Sequence, residues 1–186
     1  MEEPFAARDL RERLIVAGIS EIETHGLADF SLRRVASACG ASCAAPYKHF
    51  KNKDAFFLEI LRFINCQWEL LEKQITALYA QDPRRELCEL CMANIRFRVA
   101  NPHFRAVLMS GGQALSQAHR LETGRSTERI SQLAAEVFGQ AAPQKQYMLQ
   151  ALIYGTALLI GGGDYENTPE MLQTVRCAVE NIIFAA

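Results

Sequence analysis

The sequence predicts an all-α fold in two parts, an N-terminal three-helix domain over residues 1–52 and a larger helical domain over residues 53–186. Three observations carry this. Apolar residues recur at the 3.6-residue period along nearly the whole chain, no useful stretch alternates with the two-residue period of a strand, and Gly, Pro and Asn interrupt the pattern at helix-length intervals. With 186 residues, 49% of them hydrophobic, the chain can bury a core without disulfide or metal staples.

The first helix is expected from about Ala7 to Thr24, with Leu14, Ile15, Gly18, Ile19 and Ile22 on one face and His25-Gly26 closing it. Ser31 can cap a second helix whose Leu32, Val35, Ala36 and Cys39 form a buried stripe. Gly40 supplies a left-handed turn, and Ser42 can cap a short third helix that carries Tyr47 and ends near Phe50. Asn52 caps the next helix, with Asp54 in its positive first turn. From Lys53 the stripe Phe57, Ile60, Leu61, Ile64, Trp68, Leu71, Ile75, Leu78 suggests a short helix running into a long one.

Gln81-Asp82-Pro83 breaks the pattern, and Leu87, Leu90, Cys91, Asn94, Ile95 and Arg98 resume it until Asn101-Pro102. A short helix around Phe104, Val107 and Leu108 follows, closed by Gly111-Gly112, and the polar stretch Leu121 to Thr127 reads as a loop. Three further helices are expected near 128–138, 144–161 and 168–184. Gly161-Gly162-Gly163-Asp164 forms the turn before the last, which takes Thr168 as N-cap and Pro169 at its first position.

Net charge is -1, but its distribution is uneven. Residues 31–53 hold Arg33, Arg34, Lys48, Lys51 and Lys53 with no Asp or Glu, whereas the rest of the chain holds 15 cations against 21 acids. A basic stripe on an acidic body is the footprint of a phosphate-binding face. Two helices joined by a short turn containing Gly form a helix-turn-helix, here over about residues 31–50, whose second helix enters the major groove of DNA.

The runs Phe30-Ser31-Leu32-Arg33-Arg34-Val35-Ala36, Gly40-Ala41-Ser42 and Tyr47-Lys48-His49-Phe50-Lys51-Asn52-Lys53-Asp54 resemble the DNA-binding domain of TetR-family transcriptional regulators, over about residues 8 to 60. The resemblance implies a regulator, usually a repressor, that binds a palindromic DNA operator as a homodimer and leaves it when a small-molecule effector binds. It implies that Ser31 caps the second helix and touches phosphate and that Arg33, with Arg34 beside it, can reach DNA. Ser42, Cys43, Ala44 and Ala45 would form the exposed first turn of the recognition helix, Tyr47, Lys48 and His49 would contact the backbone, and Lys53 would grip phosphate. Pro46 stands where many members carry an aliphatic residue, and Cys43-Ala44-Ala45 offers bases little hydrogen bonding. Base reading is therefore expected from Arg33 and from apolar contact of Ala44 or Ala45 with thymine methyls.

A palindromic operator requires two recognition helices about 34–36 Å apart. The last two helices are the candidates for dimerisation, through Ala151, Leu152, Gly155, Leu159, Met171, Val175, Val179 and Ile182. Ala100 to Gly111 resembles a segment of one subgroup of these regulators, and Trp68, Met92, Phe97, His103, Phe104, Met109 and Tyr154 suit an apolar effector pocket.

The N-terminal Met-Glu-Glu-Pro-Phe lacks the cationic start and apolar stretch of a secretory signal. The run Leu149 to Gly163 is too short and too interrupted to span a bilayer, so no membrane is expected and the bacterial cytoplasm, at the nucleoid, is the expected location. The six cysteines, Cys39, Cys43, Cys66, Cys88, Cys91 and Cys177, are then expected reduced. Cys88-x-x-Cys91 lacks the second ligand pair of a zinc site, with only His103 and His119 as loose candidates, and neither metal nor cofactor is expected. Asp9, Ser20 and His25 form no nucleophile-base spacing, and Gly161-Gly162-Gly163 joins two helices rather than following a strand, which argues against an enzyme. Two alternatives stay open: a thiol-sensing regulator, in which oxidised Cys43 would sit against DNA, and a helical adaptor without DNA binding.

Overall fold

The computed structural model describes residues 9–102 and 113–185, without the side chains of 113–124. Among the described residues every regular element is helical. Contacts divide them into two compact units, one holding the chain up to Asn65 and the other holding Cys66–Pro102 and the chain from Thr123 onward.

The first unit is built from α1 (Leu10–His25), α2 (Leu32–Ala38), α3 (Ala45–His49) and the first half of α4 (Lys53–Tyr79). Leu14, Ile15, Ile22, Leu32, Val35, Ala36, Ile60, Leu61 and Ile64 are buried around an aromatic cluster. In it the Phe30–Phe57 and Phe50–Phe56 rings both pack edge to face at 4.8 Å. α1 approaches α4 closely because position 18 has no side chain: a Cβ there would lie 2.5 Å from the Phe56 ring. Gly40 turns the chain after α2 with φ +66, a conformation that disfavours any residue with a Cβ.

Residues 53–79 form one unbroken 27-residue helix rather than two, as the lack of internal Gly and Pro allows. Its exposed Leu78 shows the stripe fading at the end, where Leu71 and Ile75 are half-buried. The helix expected around Phe104 to Leu108 lies outside the described residues. The expected loop at 121–127 is helical instead, within α6 (Gln113–Phe138). Tertiary packing overrides its weak local propensity: Ser126 and Thr127 are buried, and the Ser126 carbonyl accepts from Asn94 Nδ2 at 2.9 Å.

The second unit packs α5 (Pro83–Ala100) against α7 (Ala142–Gly161) and α8 (Pro169–Phe184). Asp82 caps α5 and Thr168 caps α8, both with Pro in the first turn. The core joins Trp68, Leu87, Leu90, Met92, Ile95, Ile130, Leu133, Leu149, Ile153 and Val179. Ion pairs hold its flanks: Glu86, almost fully buried, receives Arg129 through two hydrogen bonds of 2.8 and 2.9 Å and the Thr76 hydroxyl at 2.8 Å. Glu89 receives Arg176 at 2.6 and 2.9 Å. That pairing with Arg176 holds the Glu89 carboxyl below its usual range in spite of partial burial. Arg84 and Lys145 donate to the carbonyls of Ile183 and Ile182, completing the C-terminus of α8 with positive charge.

The packing shows where the residues of two expected sites lie. Of the expected pocket residues, Trp68 and Met92 are core, the Trp68 indole donating to Glu72 at 2.9 Å, and the Phe97 ring packs tilted against Trp68 at 5.5 Å. His103, Phe104 and Met109 lie outside the described residues. Tyr154 is 41% exposed and lies under the Arg98 guanidinium, 4.4 Å from its ring centroid. A cleft of about 250 Å³ in this unit is lined by other residues, among them Thr156, Leu159, Tyr165 and Met171. Of the expected dimer residues, Val175, Val179 and Ile182 are buried within the protomer's own core. The apolar side of α8 is used by α5, because an amphipathic helix buries its stripe on whatever its own chain offers first.

Candidate nucleic-acid interface

Ser31 caps α2: its hydroxyl accepts from the Arg34 backbone N–H at 3.4 Å, and its own N–H donates to Glu21 Oε1 at 3.2 Å. Arg13 reaches the other end of α2, donating to the Cys39 carbonyl at 2.6 Å. Between these anchors Leu32, Val35 and Ala36 face inward, which leaves Arg33 exposed.

The recognition helix is shorter than expected. α3 begins at Ala45, with Ala44 as an uncapped N-terminal flank, and the Ser42 side chain caps nothing. The Ser42 carbonyl accepts from the Ala45 N–H at 2.9 Å, so residues 42–44 form a turn leading into the helix. Pro46 falls in the first turn, where its missing N–H costs nothing, and it is buried. Ala45 is buried as well, which removes it from the exposed surface and leaves apolar contact to Ala44. Ser42, Cys43 and Ala44 are exposed, followed by Tyr47 at 61% exposure and by exposed Lys48 and His49. Phe50 points into the core and closes α3, its N–H on the Pro46 carbonyl at 2.8 Å.

Two cations of the basic segment are differently engaged from what charge alone suggests. Arg34 is tied to α1, its Nε donating to Glu21 Oε1 at 2.7 Å and a terminal nitrogen lying 2.5 Å from the same oxygen, with a further bond to the Asp29 carbonyl. Burial pushes the Glu21 carboxyl up, but the hydrogen bonds from Arg34 and Ser31 and the nearby charges of Arg34 and His25 outweigh it and hold it below its usual range. Arg34 therefore braces α2 against α1. Lys53 keeps its ammonium over the faces of Phe30 and Phe57, 5.1 and 5.4 Å from their centroids, with one bond to the Phe30 carbonyl at 3.4 Å. This fixes where Lys53 can point while its residue stays exposed.

Among the described residues, Arg33, Lys48 and Lys51 are exposed cations with no recorded side-chain partner. Lys51 lies in the connection between α3 and α4. Glu21 was missed altogether. Its signal was legible: it shares the face of Leu14, Ala17 and Gly18, and a buried acid at such a position needs a cation. Among the described residues no three His, Cys, Asp or Glu side chains converge as metal ligands. No described helix is long and apolar enough to cross a membrane.

Comparison with known proteins places this geometry. Residues 14–60, which contain the whole helix-turn-helix, match the family described as bacterial regulatory proteins, tetR family. A relative in Escherichia coli (strain K12), described as a probable acrEF/envCD operon repressor, is 29% identical over 98 residues. That match takes in 53% of this chain but 44% of the relative, as does the match to its counterpart in Escherichia coli O157:H7. The chain thus spans less than half the length of the curated relatives it matches. The fold matches solved structures end to end. A transcriptional regulator from Rhodococcus sp. Rha1 has a TM-score of 0.77 at 24% identity, covering 95% of this chain and 96% of that one. A TetR-family protein from Mesorhizobium loti MAFF303099 has a TM-score of 0.74 at 18% identity, covering 98% of both. Residues 14–60 are thus similar to the tetR family of bacterial regulatory proteins, and the chain shares the fold of solved structures described as transcriptional regulators.

Proposed function

We propose that the protein is a transcriptional repressor that binds a palindromic operator as a homodimer and is released by a small ligand. The observation that carries the reading is the partner-free exposed set Arg33, Lys48 and Lys51, with Tyr47 beside it and Lys53 held in place at the start of α4. Lysine point charges give sequence-independent grip, the Tyr47 hydroxyl is a donor on a rigid ring, and the Arg33 fork matches guanine. Likeness to a described repressor over half the chain supports the sign of regulation.

Homodimerisation draws on α7. Tyr147, Met148, Ala151, Tyr154, Gly155 and Leu158 recur at helical spacing, and the large ones among them are exposed, Tyr147 to 73%. A stripe of this kind buries apolar area against a second copy, where Ala151 and Gly155 let the backbones approach. The effector site is proposed beside the half-buried Phe97, where it meets the buried Asn94, Arg98 and Ser126, a polar cluster at the edge of an apolar core. A thiol sensor at Cys88 and Cys91 is not favoured: both are buried, and burial pushes the Cys88 thiol up to about 11 and raises Cys91 further still.

The test is fluorescence anisotropy with the duplex lying upstream of the protein's own gene and a scrambled duplex, over a salt series. Preferential, salt-sensitive binding of two chains per site supports the repressor reading. Equal and salt-insensitive weak binding to both duplexes would instead favour an adaptor.

A further inference from the structure

We propose that Glu21 is a specificity-determining residue outside the DNA interface, acting by withholding Arg34 from phosphate. The inference rests on the DNA-binding reading above and adds to it how the same surface limits indiscriminate grip.

Arg33 and Arg34 are adjacent in the first turn of α2, and both carry stems long enough to reach a backbone laid against that turn. Only Arg33 is left free. Arg34 is held by two nitrogens on Glu21 Oε1 and by the Asp29 carbonyl, although its side chain remains 46% exposed. The Glu21 side chain is only 7% exposed, is fixed by the Ser31 N–H, and has His25 Nδ1 at 3.4 Å. The acid is thus built into α1 and cannot follow Arg34 outward. Every cation that contacts phosphate strengthens binding to all sequences equally, so a tethered Arg34 lowers the non-specific background without touching base readout by Arg33. The same carboxylate receives the Ser31 N–H that starts α2, so the tether also holds the turn that presents Arg33.

Glu21→Gln keeps an acceptor for Ser31 and removes the charge that holds Arg34. It is compared with wild type on the upstream duplex and on a scrambled duplex of equal composition across a salt series, with thermal melting as the folding check. The expected result is tighter binding to the scrambled duplex, a several-fold fall in the ratio of specific to non-specific affinity, and a log–log salt slope steeper by about 0.9 per protomer. Glu21→Gln/Arg34→Gln should return the slope to the wild-type value, which a merely structural role for Glu21 does not anticipate. Arg34→Gln alone decides the matter if Glu21→Gln fails to fold: an unchanged slope supports the tether, and a slope shallower by about one unit per protomer overturns it. An unchanged slope in folded Glu21→Gln overturns this proposal while leaving the regulator reading intact. Absence of salt-dependent DNA binding in the wild type overturns both.

Discussion

Arg33 and Lys53 are the residues whose roles separate most cleanly. Arg33 is exposed with no recorded partner, so a guanine contact would use its full fork, whereas Lys53 is a point charge pre-placed on two aromatic faces. Arg33→Ala should cost about 1–3 kcal/mol on the preferred site and relax base preference, while Lys53→Ala should weaken all sequences alike and flatten the salt dependence. A panel of single-base operator variants distinguishes the two, and Arg33→Ala with preference intact contradicts the assignment. Position 18 makes a sharper structural prediction. Gly18→Ala would drive a methyl into the fully buried Phe56 ring and should destabilise the first unit by about 1–3 kcal/mol, read by urea unfolding.

Paired carboxylates give the elements their acid sensitivity. Glu21 joins α1 to α2 and Glu89 joins α5 to α8, and both have folded-state pKa values below the ordinary carboxylate range. A lowered folded value means that the stabilisation is present above the unfolded pKa near 4.5 and is lost as pH falls through the folded one. Melting temperature should therefore hold from neutral pH to about 5 and fall below about 4.5, and Arg176→Gln should lessen the fall traced to Glu89. An acid limb unchanged in Arg176→Gln removes Glu89 from this role.

At the same scale, most helices could be read directly, because periodicity and the capping residues Ser31, Asn52 and Thr168 agree with where the chain folds. What could not be read came from tertiary context. The Thr-Gly-Arg-Ser-Thr run at 123–127 carries the local signals of a loop, yet a buried hydrogen bond from Asn94 to Ser126 lies in its helical continuation. Ala45 is indistinguishable from Ala44 in sequence, and only the late start of α3 turns one inward and the other out. Glu21 escaped notice because surface acids are common, and only its helical face marked it for burial.

For the whole molecule, the unsettled quantity was which apolar faces remain for a partner. Val175, Val179 and Ile182 had the right periodicity for an interface but meet α5 in the protomer's own core. The stripe on α7 stays exposed among the described residues, and Leu158→Glu within it should shift the proposed dimer to monomer with the helical content unchanged. Light scattering coupled to size exclusion reads the shift. A variant that stays dimeric places the interface elsewhere.

On the proposed reading, the segment from α2 to the start of α4 presents a small, fixed set of cations to DNA. The salt dependence of operator binding counts that set. With Lys48, Lys51 and Lys53 on phosphate and Arg34 tethered, the log–log slope should be near −2.7 per protomer, or about −5 for a bound pair, with clear preference for the upstream duplex over a scrambled one. A slope near zero, or equal affinity for the two duplexes at every salt concentration, would contradict it.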